Sequence, residues 1–203
     1  RSVRAQYDGY AQAPGVAPGT QTPTYAALKL HIDNWRWQGV PFYLRSGKAL
    51  KNKTTELSVH FKEPARMVFA QPRNGEVETN ILSLCIQPDE GAHLMLQAKR
   101  PDTRELATVR MEFHYRDSFH RDSMPEAYER LLLDVLLGDA SLFIRSDNIE
   151  VAWKIIDPIL EGWEDAKQAL PLAHYTRGTW GPAEADEMLD IDGRQWWVSC
   201  CEH

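Results

Sequence analysis

An α+β fold, with one large and mainly antiparallel sheet and helices packed on one face of it, is what this sequence predicts. Three patterns lead there. Five segments between residues 24 and 115 alternate apolar and polar side chains with period two, as half-buried strands do. Beyond residue 120 the apolar residues recur at helical spacing instead. Strands first and helices later is the order of an α+β domain, and no internal repeat interrupts it.

Residues 1–23 carry Pro14, Gly15, Pro18 and Gly19 in close succession, which predicts a linker or surface loop ahead of a single domain over 24–203. The first strand places Leu28, Leu30 and Ile32 on one face, with Lys29, His31 and Asp33 on the other. Leu57, Val59 and Phe61 alternate in the same way with Ser58, His60 and Lys62. The pattern returns at Leu82, Leu84 and Ile86, at Leu94, Leu96 and Ala98, and at Val109, Met111, Phe113 and Tyr115. Met95 adds an apolar residue to the opposite face, so that face is not wholly wet.

Three helices follow. Pro125 suits a first turn, Tyr128, Leu131, Leu132, Val135 and Leu136 form one stripe, and Gly138 can close the helix in a left-handed conformation. Asp147 can cap a second helix, with Glu150 three residues on and Pro158 expected to kink or break it. A shorter third helix is expected from near Pro182, carrying Ala185, Met188 and Leu189. On the first helix, Glu126 and Arg130 are spaced as an i, i+4 surface pair.

At 203 residues and 43% hydrophobic content the chain can bury one sizeable core. Its net charge of −6 and lack of a long basic stripe argue against nucleic acid as a partner. The apolar runs are too short to span a bilayer or form a signal peptide, so a soluble, cytoplasmic protein is expected. Cys85 and the adjacent Cys200 and Cys201 do not read as a disulfide framework or a zinc site, which fits a reducing compartment. The seven histidines, His31, His60, His93, His114, His120, His174 and His203, are scattered singly and read as solvent-facing or satisfied side chains, with no metal implied.

Against that acidic background, Arg45, Lys48, Lys51 and Lys53 cluster around the Ser46-Gly47 turn that ends an apolar strand from Val40 to Leu44. Taken alone, such a cluster can be a wet basic loop or a cationic site for an anionic ligand.

The block from Asp33 to Leu50, which includes Asn34-Trp35-Arg36-Trp37-Gln38, resembles the start of the substrate-binding part of the glucose-6-phosphate dehydrogenase family. Four more blocks resemble the same family in the same order: Ile86 to Glu90, Pro125 to Asp134, Arg145 to Trp153 and Gly181 to Asp186. Together they cover nearly everything from Thr24 to Trp197.

The resemblance implies the C-terminal, substrate-binding and oligomerising part of an enzyme that oxidises D-glucose 6-phosphate to 6-phosphogluconolactone with NADP. It implies sugar-phosphate contacts for Lys48 and Lys53, and a position near the sugar for Gln87. No catalytic residue and no cofactor-binding residue is implied within this chain. In the family the NADP lies on an N-terminal doubly wound domain with a glycine-rich loop, and here no two glycines stand two residues apart. The histidine-bearing motif and the histidine base of the family are absent as well, so this chain alone is expected to be inactive. Some members hold a second, structural NADP. Arg45 matches one position of that site, but Thr54, Ser58, Cys85 and Trp180 stand where it needs positive side chains, so no such site is expected. Arg45 is then expected to pair with an acidic side chain. A homodimer or homotetramer is implied, with no membrane partner. The alternative reading is a stand-alone structural or regulatory module that binds a partner enzyme.

Overall fold

The computed structural model describes residues 1–63, 79–119, 127–165 and 171–200. In chain order its strands are β1 (Ser2–Tyr7), β2 (Tyr25–His31), β3 (Pro41–Gly47), β4 (Thr55–His60), β5 (Ile81–Gln87), β6 (Gly91–Lys99), β7 (Leu106–His114) and β8 (Ala173–Tyr175). Its helices are α1 (Tyr115–Phe119), α2 (Ala127–Leu137), α3 (Ser146–Glu164) and α4 (Ala183–Asp190). The α+β class and the antiparallel character hold, but the strands divide between two four-stranded sheets, in the orders β3-β2-β1-β8 and β4-β5-β6-β7. The chain forms two compact units, Arg1–Asn52 with Glu126–Trp196, and Lys53–Pro125 with Trp197–His203.

In the first unit β1 pairs antiparallel with β2 and parallel with β8, so it is an inner strand rather than part of a linker. Its sequence alternates Val3, Ala5 and Tyr7 with Arg4 and Gln6, and both sets find partners. Ala5 is wholly buried in the core. Arg4 donates to the carbonyl of Trp163 at 2.7 Å, supplying a cation and a donor to the last turn of α3, where carbonyls lack helical partners. Gln6 donates to the carbonyls of Thr20 and Thr22, which ties down the Pro- and Gly-rich loop. These tertiary bonds make a buried polar face acceptable, and the local pattern could not supply them.

The core of this unit joins Ala5, Tyr25, Ala27 and Tyr175 to Ala185, Met188 and Leu189 of α4. Small residues at 5, 27 and 185 let the helix approach β1 closely. On β2 the buried residues are Tyr25, Ala27 and Leu28, whereas Ile32, expected on the buried face, is exposed. The helix at Pro182 stands where the sequence predicts it.

Helix α2 ends at Gly138, whose φ is +70°, with Asp139 N–H donating to the carbonyl of Asp134 at 2.9 Å. Pro125 and Glu126 lie outside the described residues, and Arg130 pairs with Asp134 at 3.0 Å. The stripe of α2 is open: Tyr128, Leu132, Val135 and Leu136 are all exposed. Helix α3 begins after Arg145, so Asp147 lies in its first turn, and it continues through Pro158 to Glu164.

The second sheet is an antiparallel meander with two unlike faces. Cross-strand pairs Leu57↔Leu84, Val59↔Leu82, Leu82↔Leu94, Leu94↔Met111 and Leu96↔Val109 make one face continuously apolar. Leu57, Val59, Val109, Met111 and Phe113 on it are exposed. Ser58↔Ser83 and Ser83↔His93 belong to the other face, together with Glu56, Ile81, Cys85 and Met95.

The segment Trp197–Cys200 covers that second face. The Trp197 ring meets His60 edge-on at 6.0 Å, and the Glu56 carboxylate accepts the backbone N–H of Ser199 and of Cys200. Cys200 is disulfide-bonded to Cys85, with their Cα atoms 5.6 Å apart. This corrects the reading of the cysteines as unbridged and removes the support it lent to a reducing compartment. Cysteine spacing along a chain carries no information about two residues brought together across 115 positions.

Candidate functional site

The basic loop is built around Tyr25. A Cβ at Gly47 would stand 2.6 Å from its ring, and one at Gly181, whose φ is +126°, would meet the same ring at 2.6 Å. Two glycines therefore grip one tyrosine from the ends of different elements, because no larger residue leaves the ring room. Burial pushes the Tyr25 hydroxyl up to about 12, a shift opposed by the guanidinium of Arg45 beside it.

That frame fixes the backbone of Lys48 on both sides. Its N–H donates to the carbonyl of Thr24 at 2.8 Å, and its carbonyl accepts the Tyr175 hydroxyl at 2.7 Å. Ala49 follows with φ +51° and accepts from Gly178 N–H at 2.8 Å, while Lys51 N–H donates to Thr179 at 2.9 Å. Leu50 packs against the core. The side chain of Lys48 is exposed. A rigid backbone thus presents a lysine ammonium, a compact charge with three donors, to solvent, which suits phosphate oxygens.

Arg45 is engaged with aromatic rings. Its guanidinium lies 5.0 Å from the Trp180 ring centre and 4.6 Å from that of Trp196, a double cation–π contact. Nearby, Asp192 accepts from Lys29 Nζ and from the Tyr43 hydroxyl, both at 2.6 Å, and these bonds hold its carboxyl down at about 2. The tryptophans and Asp192 account for much of the charge on this face without a ligand.

In the second unit, Lys53 and Gln87 lie at one end of the sheet. Thr55 pairs with Gln87, the Thr54 hydroxyl donates to the Gln87 carbonyl at 3.0 Å, and Lys53 immediately precedes them. Both Lys53 and Gln87 are exposed. The structure thus gathers Lys53 and Gln87 at one sheet end and presents Lys48 from the loop of the other unit.

Four residues that the sequence sets against a second dinucleotide are engaged otherwise. The Ser58 hydroxyl donates to Glu56 and shares a hydrogen bond with Ser83, Cys85 is bonded to Cys200, the Thr54 hydroxyl donates to the Gln87 carbonyl, and Trp180 lies against Arg45. None of the four brings a positive charge.

Sequence reasoning missed the chemistry of the polar face of the second sheet. Ser83 and His93 are buried there, 1% and 2% exposed, beside the disulfide. The His93 ring packs against that of His114, tilted by 59° with centres 5.2 Å apart, and His114 Nδ1 lies 2.9 Å from Asp89. The available signal was the polar half of each period-two strand, which reads as solvent-facing until something is known to cover it.

The model of the glucose-6-phosphate dehydrogenase C-terminal domain matches residues 1–197. The chain is 45% identical over 189 residues to glucose-6-phosphate 1-dehydrogenase 2 of Mycobacterium tuberculosis, covering 93% of this chain and 36% of that protein. It is 42% identical over 212 residues to glucose-6-phosphate 1-dehydrogenase of Chlamydia trachomatis, covering 96% of this chain and 47% of that one. A solved structure of glucose-6-phosphate dehydrogenase in complex with its substrate glucose-6-phosphate superposes with a TM-score of 0.83 at 32% identity, covering 97% of this chain and 41% of that chain. The crystal structure of glucose-6-phosphate 1-dehydrogenase from Mycobacterium avium gives a TM-score of 0.77 at 37% identity, over 98% and 40% of the two chains. The chain thus spans less than half the length of these relatives.

Proposed function

The chain belongs to the glucose-6-phosphate dehydrogenase C-terminal domain family, and from that premise we propose that it works as the sugar-phosphate-binding part of an enzyme oxidising D-glucose 6-phosphate to 6-phosphogluconolactone. The observation that carries this reading is Lys48, a matched basic residue held at both ends of its peptide and exposed at its side chain. Its ammonium would neutralise phosphate charge, Lys53 would add a second cation, and Gln87 would offer an amide to sugar hydroxyls. NADP, bound outside this chain, would accept the hydride from C1. This chain has no glycine-rich dinucleotide loop, so by itself it is expected to show no turnover. A cytoplasmic location belongs to the same proposal, and fractionation of cells carrying the tagged protein tests it.

The test is Lys48→Ala in the longer protein that contains this chain. Loss of a charge-assisted hydrogen bond costs roughly 1.5–3 kcal/mol, so kcat/KM for glucose 6-phosphate falls about ten- to a hundredfold. Unchanged efficiency would return Lys48 to a wet loop, and NADPH formation by the 203-residue chain alone would overturn the inactivity.

Self-association through the apolar face of the second sheet completes the proposal. Exposed Leu57, Val59, Val109 and Met111 lie on one face, and burying them in a second copy is favourable at about 25 cal/mol per Å² of apolar area. Met111→Lys is expected to convert an oligomer to a monomer in sedimentation at micromolar concentration. A parent chain that is monomeric there would count against the interface.

A further inference from the structure

We propose that Cys85, His93 and Cys200 form a redox-gated site for a soft divalent cation of the zinc type, open when the two cysteines are thiols and closed when they are bonded. The two sulfurs and a ring nitrogen of His93 all lie within 4.8 Å of one another, and all three residues are buried. Donors on one tetrahedral zinc stand about 3.3–3.8 Å apart, given bonds of ~2.3 Å to sulfur and ~2.0 Å to nitrogen. Small rotations of these side chains therefore reach that geometry once the sulfur–sulfur bond is cut. Two thiolates and an imidazole are soft to borderline ligands, which favour zinc over magnesium or calcium.

The fold supplies each ligand from a separate support. Cys85 and His93 project from adjacent strands on one face, since Ser83 lies directly across from His93 and Gly91 directly across from Cys85. Gly91, directly across from Cys85, has to be glycine because a Cβ there would stand 2.3 Å from the Phe113 carbonyl, so β6 and β7 run close together beside the cluster. Cys200 is held independently of the disulfide: Glu56 accepts its N–H at 3.2 Å and that of Ser199 at 3.1 Å, and also accepts the Ser199 hydroxyl at 3.0 Å. Reduction therefore leaves the Cys200 thiol beside Cys85. His93 is steadied by the ring of His114, which Asp89 holds in turn.

The chemistry balances with a dithiol reductant. The reductant gives two electrons and two protons to the sulfur–sulfur bond and leaves as its own cyclic disulfide, giving two free thiols. Cation binding then displaces two protons, one from each thiol, while neutral His93 donates a lone pair. A water molecule would fill the fourth position, as three protein ligands leave one open. The covalent link between β5 and the C-terminal segment is thereby exchanged for a coordinate one.

Cobalt(II), a spectroscopic stand-in for zinc, tests this on the 203-residue chain. The chain is reduced with dithiothreitol, freed of it without air and titrated. Expected are thiolate-to-cobalt charge-transfer absorption saturating at one equivalent, its displacement by zinc, and no such absorption before reduction. His93→Phe keeps a ring of similar size. It is expected to form the Cys85–Cys200 disulfide on oxidation, showing the fold intact, yet to bind cobalt weaker by roughly a hundredfold or more. Cys201→Ser is expected to leave binding as in the parent. The proposal is overturned if the reduced parent shows no thiolate–cobalt band, if disulfide-competent His93→Phe binds as tightly as the parent, or if Cys201→Ser removes the band.

Discussion

The two sheets of this chain are closed by opposite means. The first is covered by α4, whose Ala185, Met188 and Leu189 fill the space over Ala5, Tyr25 and Ala27 in an apolar, aromatic-centred core. The second is covered on one face by a short C-terminal segment held through a carboxylate, a ring contact and a disulfide, while its apolar face stays exposed. A helix buries enough area to hold itself in place. Four residues of irregular chain do not, so specific bonds take over where area is lacking.

The sharpest way to separate the two regimes is to cut the bond between Cys85 and Cys200. It closes a loop of 115 residues, and a link of that length contributes about 4–5 kcal/mol by restricting the unfolded chain. Reduction in the presence of a chelator is expected to remove most of that from β4–β7 and to leave β1–β3 nearly unchanged. Amide hydrogen exchange read strand by strand checks it, and equal loss in both sheets would break the contrast.

Gly181→Ala probes the first sheet in the converse way. The new Cβ must displace the Tyr25 ring and adopt a left-handed backbone, with an expected cost of about 1–3 kcal/mol. Thermal unfolding is expected to show the loss in β1–β3, with the Cys85–Cys200 bond and the protection of β4–β7 retained.

A smaller and more specific effect comes from pH. The Tyr25 hydroxyl ionises near 10 in the unfolded chain and at about 12 when folded, because its charged form would be buried. The folded state therefore binds this proton more tightly. Its contribution is complete below pH 10 and is lost as pH rises from 10 towards 12, amounting to about 2 kcal/mol as an order of magnitude. Urea unfolding of the parent and of Tyr25→Phe across that window is expected to show a steeper alkaline loss in the parent. Matching curves would show that Tyr25 does not set it.

Periodicity and turn chemistry by themselves determined the α+β class, the strands β2 and β4–β7, the helix of Ala185, Met188 and Leu189, and the glycine stop at Gly138. These depend on residues within a few positions of one another. Motifs with the same local character located Lys48 and Lys53 in a basic loop and Gln87 at a strand end. The tertiary structure alone decided that Ser2–Tyr7 is an inner strand, since Arg4 and Gln6 are acceptable inside only with the Trp163, Thr20 and Thr22 carbonyls as partners. It alone divided the strands into two sheets, and it alone showed the serine, histidine and cysteine face of β4–β6 to be covered rather than wet. The cause is common to all three. Alternation reports which residues share a face, but what covers that face comes from residues outside the strand itself, from 14 positions away for Gln6 and Thr20 to 115 for Cys85 and Cys200.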